Sequence, residues 1–288
     1  MTEPYPPGPA KMVGWNGIEL TVPKTWEAIV SGPCHLLFEF DFAPLFELRW
    51  ERVGKLSSSR FEARVRQIRH QAQKGGRPLA RSINKDDLAA NFDFTRLFGD
   101  DRGELSEGIC YCSQSTILLV FQVLTHQHRL RTMVKSVLKS LKCRPGSEVL
   151  WRVQDFSLKL PPSFHLQDFS FLAGFTSLKF NGPDYSLMAG KLAGAGKRLE
   201  HQSLAALLPV LAGTDHIRLQ QKEHSCTGYR KPGWGKRMFY RLKREPPFLT
   251  AKIWRTTGSD HLLAIILSST SNICDTSLDS HSQRYEII

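Results

Sequence analysis

Several large classes of protein are excluded by what this chain lacks. No apolar run approaches the roughly 18–20 residues of a membrane-spanning helix. The longest, 262–267, has the length of a buried strand. The first nine residues are rich in Pro and Gly, with no basic stretch ahead of an apolar one, so no secretory signal is expected. The six cysteines (34, 110, 112, 143, 226 and 274) are scattered, without the density of a disulfide scaffold, and a reducing cytoplasm is the simplest setting.

Catalytic fingerprints are missing too. There is no G-x-S-x-G, no H-E-x-x-H and no G-x-G-x-x-G. The stretch 190–197 superficially looks like a phosphate loop, but Lys197 is followed by Arg198 where Ser or Thr is required. Asp86-Asp87 and Asp100-Asp101 lie in polar stretches with nothing to bring a base beside them. No catalytic residue, cofactor or metal site is therefore assigned, and a non-catalytic binding or accessory role is expected.

What is present is a basic, core-forming chain. Its 288 residues are 41% hydrophobic, and 39 Lys and Arg against 27 Asp and Glu give a net charge of +12. The excess is even on either side of Pro145, 21 against 15 and then 18 against 12, so it is no basic tail. Such a charge suits nucleic acid, an anionic membrane or an acidic protein as partner.

The order of the chain repeats. Trp15 opens an alternating run that ends at Pro23, with Trp26 three residues on. Trp151 opens another that ends at Pro161, with Phe164 three residues on, an offset of 138. Pro cannot donate to a ladder and marks a strand end, and the aromatic behind it can plug a core. Residues 94–97 then match 239–242, and 118–121 match 263–266, both at an offset of 145. Between the blocks, Ser57 to Ser59 offer N-caps to a helix with Phe61, Val65, Ile68 and Ala72 on one face and Gly75-Gly76 at its end. A second helix over 128–142 carries an apolar stripe, with Arg131, Lys135 and Lys139 expected to face water.

The chain is therefore expected to hold a flexible segment over 1–14, a first domain over 15–144, a linker over 145–150 and a second domain over 151–288. The expected fold class is α+β: two tandem repeats, each an antiparallel sheet flanked by helices. On Val22-Pro23-x-x-Trp26 and Leu160-Pro161-x-x-Phe164, with the strands and helices around them, 15–142 and 151–285 resemble the PsbP-like family. A photosystem II extrinsic protein and a yeast Ran-binding nuclear transport factor share that fold. The resemblance implies a sandwich fold and a binding or accessory role.

One stretch stands out as a site. Residues 229–244 hold Arg230, Lys231, Lys236, Arg237, Arg241, Lys243 and Arg244, with no acid, and interleave Tyr229, Trp234, Phe239 and Tyr240. Read as a hairpin with Trp234 at its tip, it offers cations to phosphates and rings to bases. Arg60, Arg64, Arg69, Lys135 and Lys139, on two helices, are candidates for an acidic protein partner. Cys110 and Cys112, followed by His126 and His128, are ligand types suited to zinc, though without the looped spacing of a zinc finger.

Overall fold

The structure, a computed structural model, describes residues 9–75, 80–83, 91–143 and 146–288. The segment 1–8, Gly76, the Asp86-Asp87 pair and the Arg144-Pro145 break lie outside the described residues. The chain divides into two compact units, Met1–Gln154 and Asp155–Ile288.

The expected α+β sandwich of two repeats is corrected by the content of the fold. Strand accounts for 46% of the described residues and helix for 24%, in three antiparallel sheets with six helices. The excess lies in strands that the sequence pattern conceals. β1 (Ala10–Trp15) occupies ground expected to be flexible, and β3 (Glu27–Gly32) follows Trp26 directly. In β1 Val13, Gly14 and Trp15 are buried in succession, and in β3 the apolar Ile29 lies on the exposed face with Glu27 and Ser31, so neither run alternates in hydrophobicity.

In the first unit, β1 pairs with β2 (Ile18–Pro23) from Trp15↔Ile18 to Ala10↔Pro23. β10 (Val149–Val153) also pairs with β1, so the expected linker already contains strand. Trp151 belongs here, edge-on to Trp15 with ring centres 5.2 Å apart. The larger sheet runs β3, β4 (His35–Phe40), β5 (Ala43–Arg52), β9 (Ile117–Val123), β8 (Leu105–Cys112), β7 (Phe94–Gly99), β6 (Arg81–Ile83). β9 is apolar nearly throughout because it sits mid-sheet. α1 (Ser58–Lys74), capped by the Ser57 hydroxyl, buries Phe61 and Val65 against Phe98, Ile109, Tyr111 and Leu118. α2 (His128–Lys139) buries Val134, Val137 and Leu138 and packs on β2 and β5. Trp26 is buried against Phe46.

In the second unit, β11 (Phe156–Leu160) pairs with β19 (Tyr285–Ile287). The larger sheet runs β12 (His165–Leu172), β13 (Phe175–Asn181), β14 (Ser186–Ala193), β18 (His261–Ser269), β17 (Phe248–Arg255), β16 (Ser225–Arg230), β15 (Arg218–Gln221). That is the same order of strands as in the first unit. Residues 118–121 and 263–266 fall in β9 and β18, the equivalent central strands. The match of 94–97 with 239–242 does not hold, because the first lies in β7 and the second in a helix.

α3 (Ala195–His201) and α4 (Leu204–Ala212) cover one face of this sheet with Leu204, Leu207 and Leu208. The two are separated by Gln202-Ser203. Pro209 stands sixth in α4, beyond the first turn, so its missing N–H costs one interior hydrogen bond of this short helix. α6 (Asp275–Gln283) packs on β17 and β18. Phe164 is buried beside Tyr185 and His281, with ring centres 5.5 and 5.6 Å away.

Candidate binding site

Between β16 and β17 the chain leaves the sheet and forms α5 (Trp234–Leu242). This corrects the expected hairpin: 229–230 end a strand and 234–242 are helical. Trp234, expected at a hairpin tip, is instead the first helical residue, behind Gly233 in extended conformation. Arg244, at φ 55°, turns the chain back toward the sheet.

β16 alternates, with Cys226, Gly228 and Arg230 buried and Ser225, Thr227 and Tyr229 half-buried. The Arg230 guanidinium therefore points into protein. It donates to the Pro247 carbonyl at 3.2 Å, the Pro246 carbonyl at 2.7 Å and Thr214 Oγ1 at 3.0 Å. It also lies over the Tyr240 ring, 4.5 Å from its centre. Arg237 acts similarly, with Nε on the Pro232 carbonyl at 3.0 Å and its guanidinium 4.9 Å from the centre of Phe248. Two of the seven cations of this stretch thus anchor α5 itself.

α5 has no buried residue. Trp234, Met238 and Leu242, spaced i, i+4, i+8, form one outward line and are 81%, 47% and 81% exposed. Phe239 is 54% exposed, with Lys243 Nζ 4.6 Å from its ring centre. Lys236, Arg241 and Arg244 are exposed. No acid occurs until Glu245.

Behind α5 lies a cleft of about 1070 Å³, bounded by the loop 213–217 and the end of β16. Its walls carry Arg218, Lys231, Lys236 and Lys243 against Asp215 and Glu245. Tyr229, Phe239 and Tyr240 line it as well. Arg218 and the loop were not singled out in the sequence, because their only local signal is the Gly213 that ends α4 at φ 65°.

The other candidates are dispersed. Arg64 pairs with Glu51 at 2.6 Å. Arg69 donates to the Ala80 carbonyl at 2.6 Å and lies 4.2 Å from the centre of the Phe98 ring. Arg60 and Lys139 are exposed and Lys135 is half-buried. Arg131 does not face water: it pairs with Asp100 and with Glu104. The basic residues of α1 and α2 are thus partly committed to their own unit.

Cys110 and Cys112 are buried in β8, whereas His126 and His128 are exposed and His128 pairs with Glu104. Burial pushes the Cys110 thiol up to about 12. Burial, then the neighbouring Cys112 and Cys110, also raise the Cys143 thiol well above its ordinary range. Such thiols resist the deprotonation that a metal needs. Among the described residues, no three or more His, Cys, Asp or Glu are grouped to hold a metal. Lys191, in the stretch that looked like a phosphate loop, is buried and paired with Asp155.

No family model, curated protein or solved structure matches the chain. Among the described residues no helix is long and apolar enough to cross a membrane.

Proposed function

We propose that this chain is a non-catalytic binding protein that docks an anionic macromolecular partner on α5 and the cleft beside it. The observation that carries the reading is a helix without a single buried residue that nevertheless displays Trp234, Met238 and Leu242 to solvent. Exposed apolar side chains in a contiguous group, rimmed by charge, mark interaction surfaces. The cations around them favour an anionic partner, since 229–244 contain no acid. The anchoring by Arg230 and Arg237 supports the same reading, because it holds a solvent-facing helix in place ahead of binding.

A second reading, single-stranded nucleic acid, is favoured by the cleft, where Tyr229 and Phe239 stand among Arg218, Lys231 and Lys236.

Matched charge reversals test the docking site. Lys236→Glu with Arg241→Glu on α5 is compared with Arg60→Glu and Arg66→Glu on α1, which changes the net charge equally. The α5 pair is expected to elute from immobilised heparin at clearly lower salt than the α1 pair. Equal elution would show that overall charge, not α5, makes the contact.

A further inference from the structure

We infer that the partner of α5 is an anionic lipid surface, on which the helix lies flat with Trp234, Met238 and Leu242 inserted. The inference rests on the reading of α5 as the docking element and names its occupant.

The geometry of the outward line comes first. Residues at i, i+4 and i+8 of a helix drift by about 40° per step and span about 12 Å along the axis. The three side chains thus form a short, nearly straight ridge, set in solvent at 81%, 47% and 81% exposure. A helix lying in a bilayer interface presents such a ridge to the acyl boundary, with Lys and Arg at headgroup level on its flanks. Arg241 lies on that flank here, Lys236 stands on the opposite, cleft-lining side with Arg244 exposed just past the helix end, and 229–244 contain no acid.

The other two partner classes fit less of what is displayed. A single strand of nucleic acid uses ring faces as stacking platforms. Phe239 has Lys243 over its ring at 4.6 Å and Tyr240 has Arg230 at 4.5 Å. That leaves Trp234 as the one fully displayed ring of α5, and Met238 and Leu242 give a base no ring to stack on. A protein partner requires area. The ridge together with Phe239 offers on the order of 500 Å² of apolar surface, but as a line about 12 Å long, whereas the roughly 800 Å² per partner of a standard interface is a broad patch. A bilayer needs no such complementary patch, and it takes apolar depth and positive charge from the same nine residues.

Each contribution alone is weak, so binding is expected to be peripheral, reversible and dependent on both. A few inserted side chains give marginal attachment, and a basic flank on an anionic surface makes it measurable.

The test mixes the full chain with phosphatidylcholine vesicles and with phosphatidylcholine–phosphatidylglycerol vesicles, and follows co-sedimentation and tryptophan emission. Sedimentation is expected with the anionic vesicles only, with an emission blue shift that Trp234→Phe removes, and with release by salt. Trp234→Ala with Leu242→Ala, and separately Lys236→Glu with Arg241→Glu, are each expected to weaken it by roughly tenfold or more. Circular dichroism of both pairs checks that the fold is unchanged. Vesicle binding indifferent to both pairs would overturn the inference. No vesicle binding, together with oligonucleotide binding lost in Lys236→Glu/Arg241→Glu, would overturn the lipid surface and leave α5 as the docking element. Failure of vesicles and oligonucleotides alike, with equal heparin elution of the α1 and α5 pairs, would remove the docking reading too.

Discussion

The guanidinium of Arg230 lies 4.5 Å from the centre of the Tyr240 ring, and through it a buried strand end holds a helix that buries nothing of its own. The same group satisfies the Pro246 and Pro247 carbonyls and Thr214. Arg230→Ala leaves these acceptors without their donor and removes the cation from the ring. Each hydrogen bond from a charged group contributes about 1.5–3 kcal/mol, so a loss of about 2–4 kcal/mol is expected after partial rehydration. Arg230→Lys recovers little of it, because an ammonium cannot span three acceptors in a plane. Urea unfolding of the three proteins measures this; equal midpoints would show that the guanidinium is not what holds α5.

Two tryptophans provide a contrast. Trp26 is buried against Phe46, whereas Trp234 is displayed on α5. Trp26→Ala is expected to cost about 3–5 kcal/mol, the range for emptying a large aromatic site. Trp234→Ala is expected to change stability by less than about 0.5 kcal/mol. A large thermal shift in the second variant would mean that Trp234 serves the fold rather than a partner.

Gly108 in β8 marks a close approach. A Cβ there would stand 2.3 Å from Phe121 ring atoms and 2.9 Å from Leu97. The Phe121 ring is itself buried, so it has nowhere to retreat. Gly108→Ala is expected to cost about 1–3 kcal/mol or more through overpacking, read as a lowered unfolding temperature. An unchanged temperature would contradict the packing described for the first unit.

His281 gives the second unit a pH dependence. Burial, and then the Arg284 charge, lower its pKa from 6.5 to about 4. The ring is neutral in the folded chain, with Nε2 hydrogen-bonded to the Tyr185 hydroxyl at 2.8 Å. A group whose folded pKa is lowered in this sense binds its proton more readily when unfolded. The stability it contributes is complete above its ordinary value and is lost as pH falls from about 6.5 toward about 4. Between pH 7 and pH 5 the loss is expected to reach at most about 2 kcal/mol. Urea midpoints at the two pH values, for the natural chain and for His281→Gln, check it: the variant should show a clearly smaller drop.

The sequence made some elements legible and hid others for physical reasons. The α1 cap at Ser57, the α1 face of Phe61 and Val65, and the apolar runs of β9 and β18 were all visible, because burial imposes a pattern on the residues that meet it. α5 was misread because it has no buried face to impose one. Its Lys and Arg alternate with rings closely enough to imitate a strand, and Pro232, Gly233 and Gly235 look like a turn. The i, i+4, i+8 spacing of Trp234, Met238 and Leu242 was the available signal, though it points outward. Likewise Arg230 and Arg237 were grouped with the free cations. Only the fold reveals that β16 aims one of them inward, between the prolines and Tyr240. The basic residues and the missing acids were legible from the start; which of them remained available was not.

Amide hydrogen exchange of the full chain, with and without phosphatidylcholine–phosphatidylglycerol vesicles, tests the central claim most directly. Slowed exchange is expected over 234–242 and the adjoining 213–217, with α1 and α2 unchanged. No change over 234–242, or protection falling on α1 or α2 instead, would contradict α5 as the surface through which this protein meets its partner.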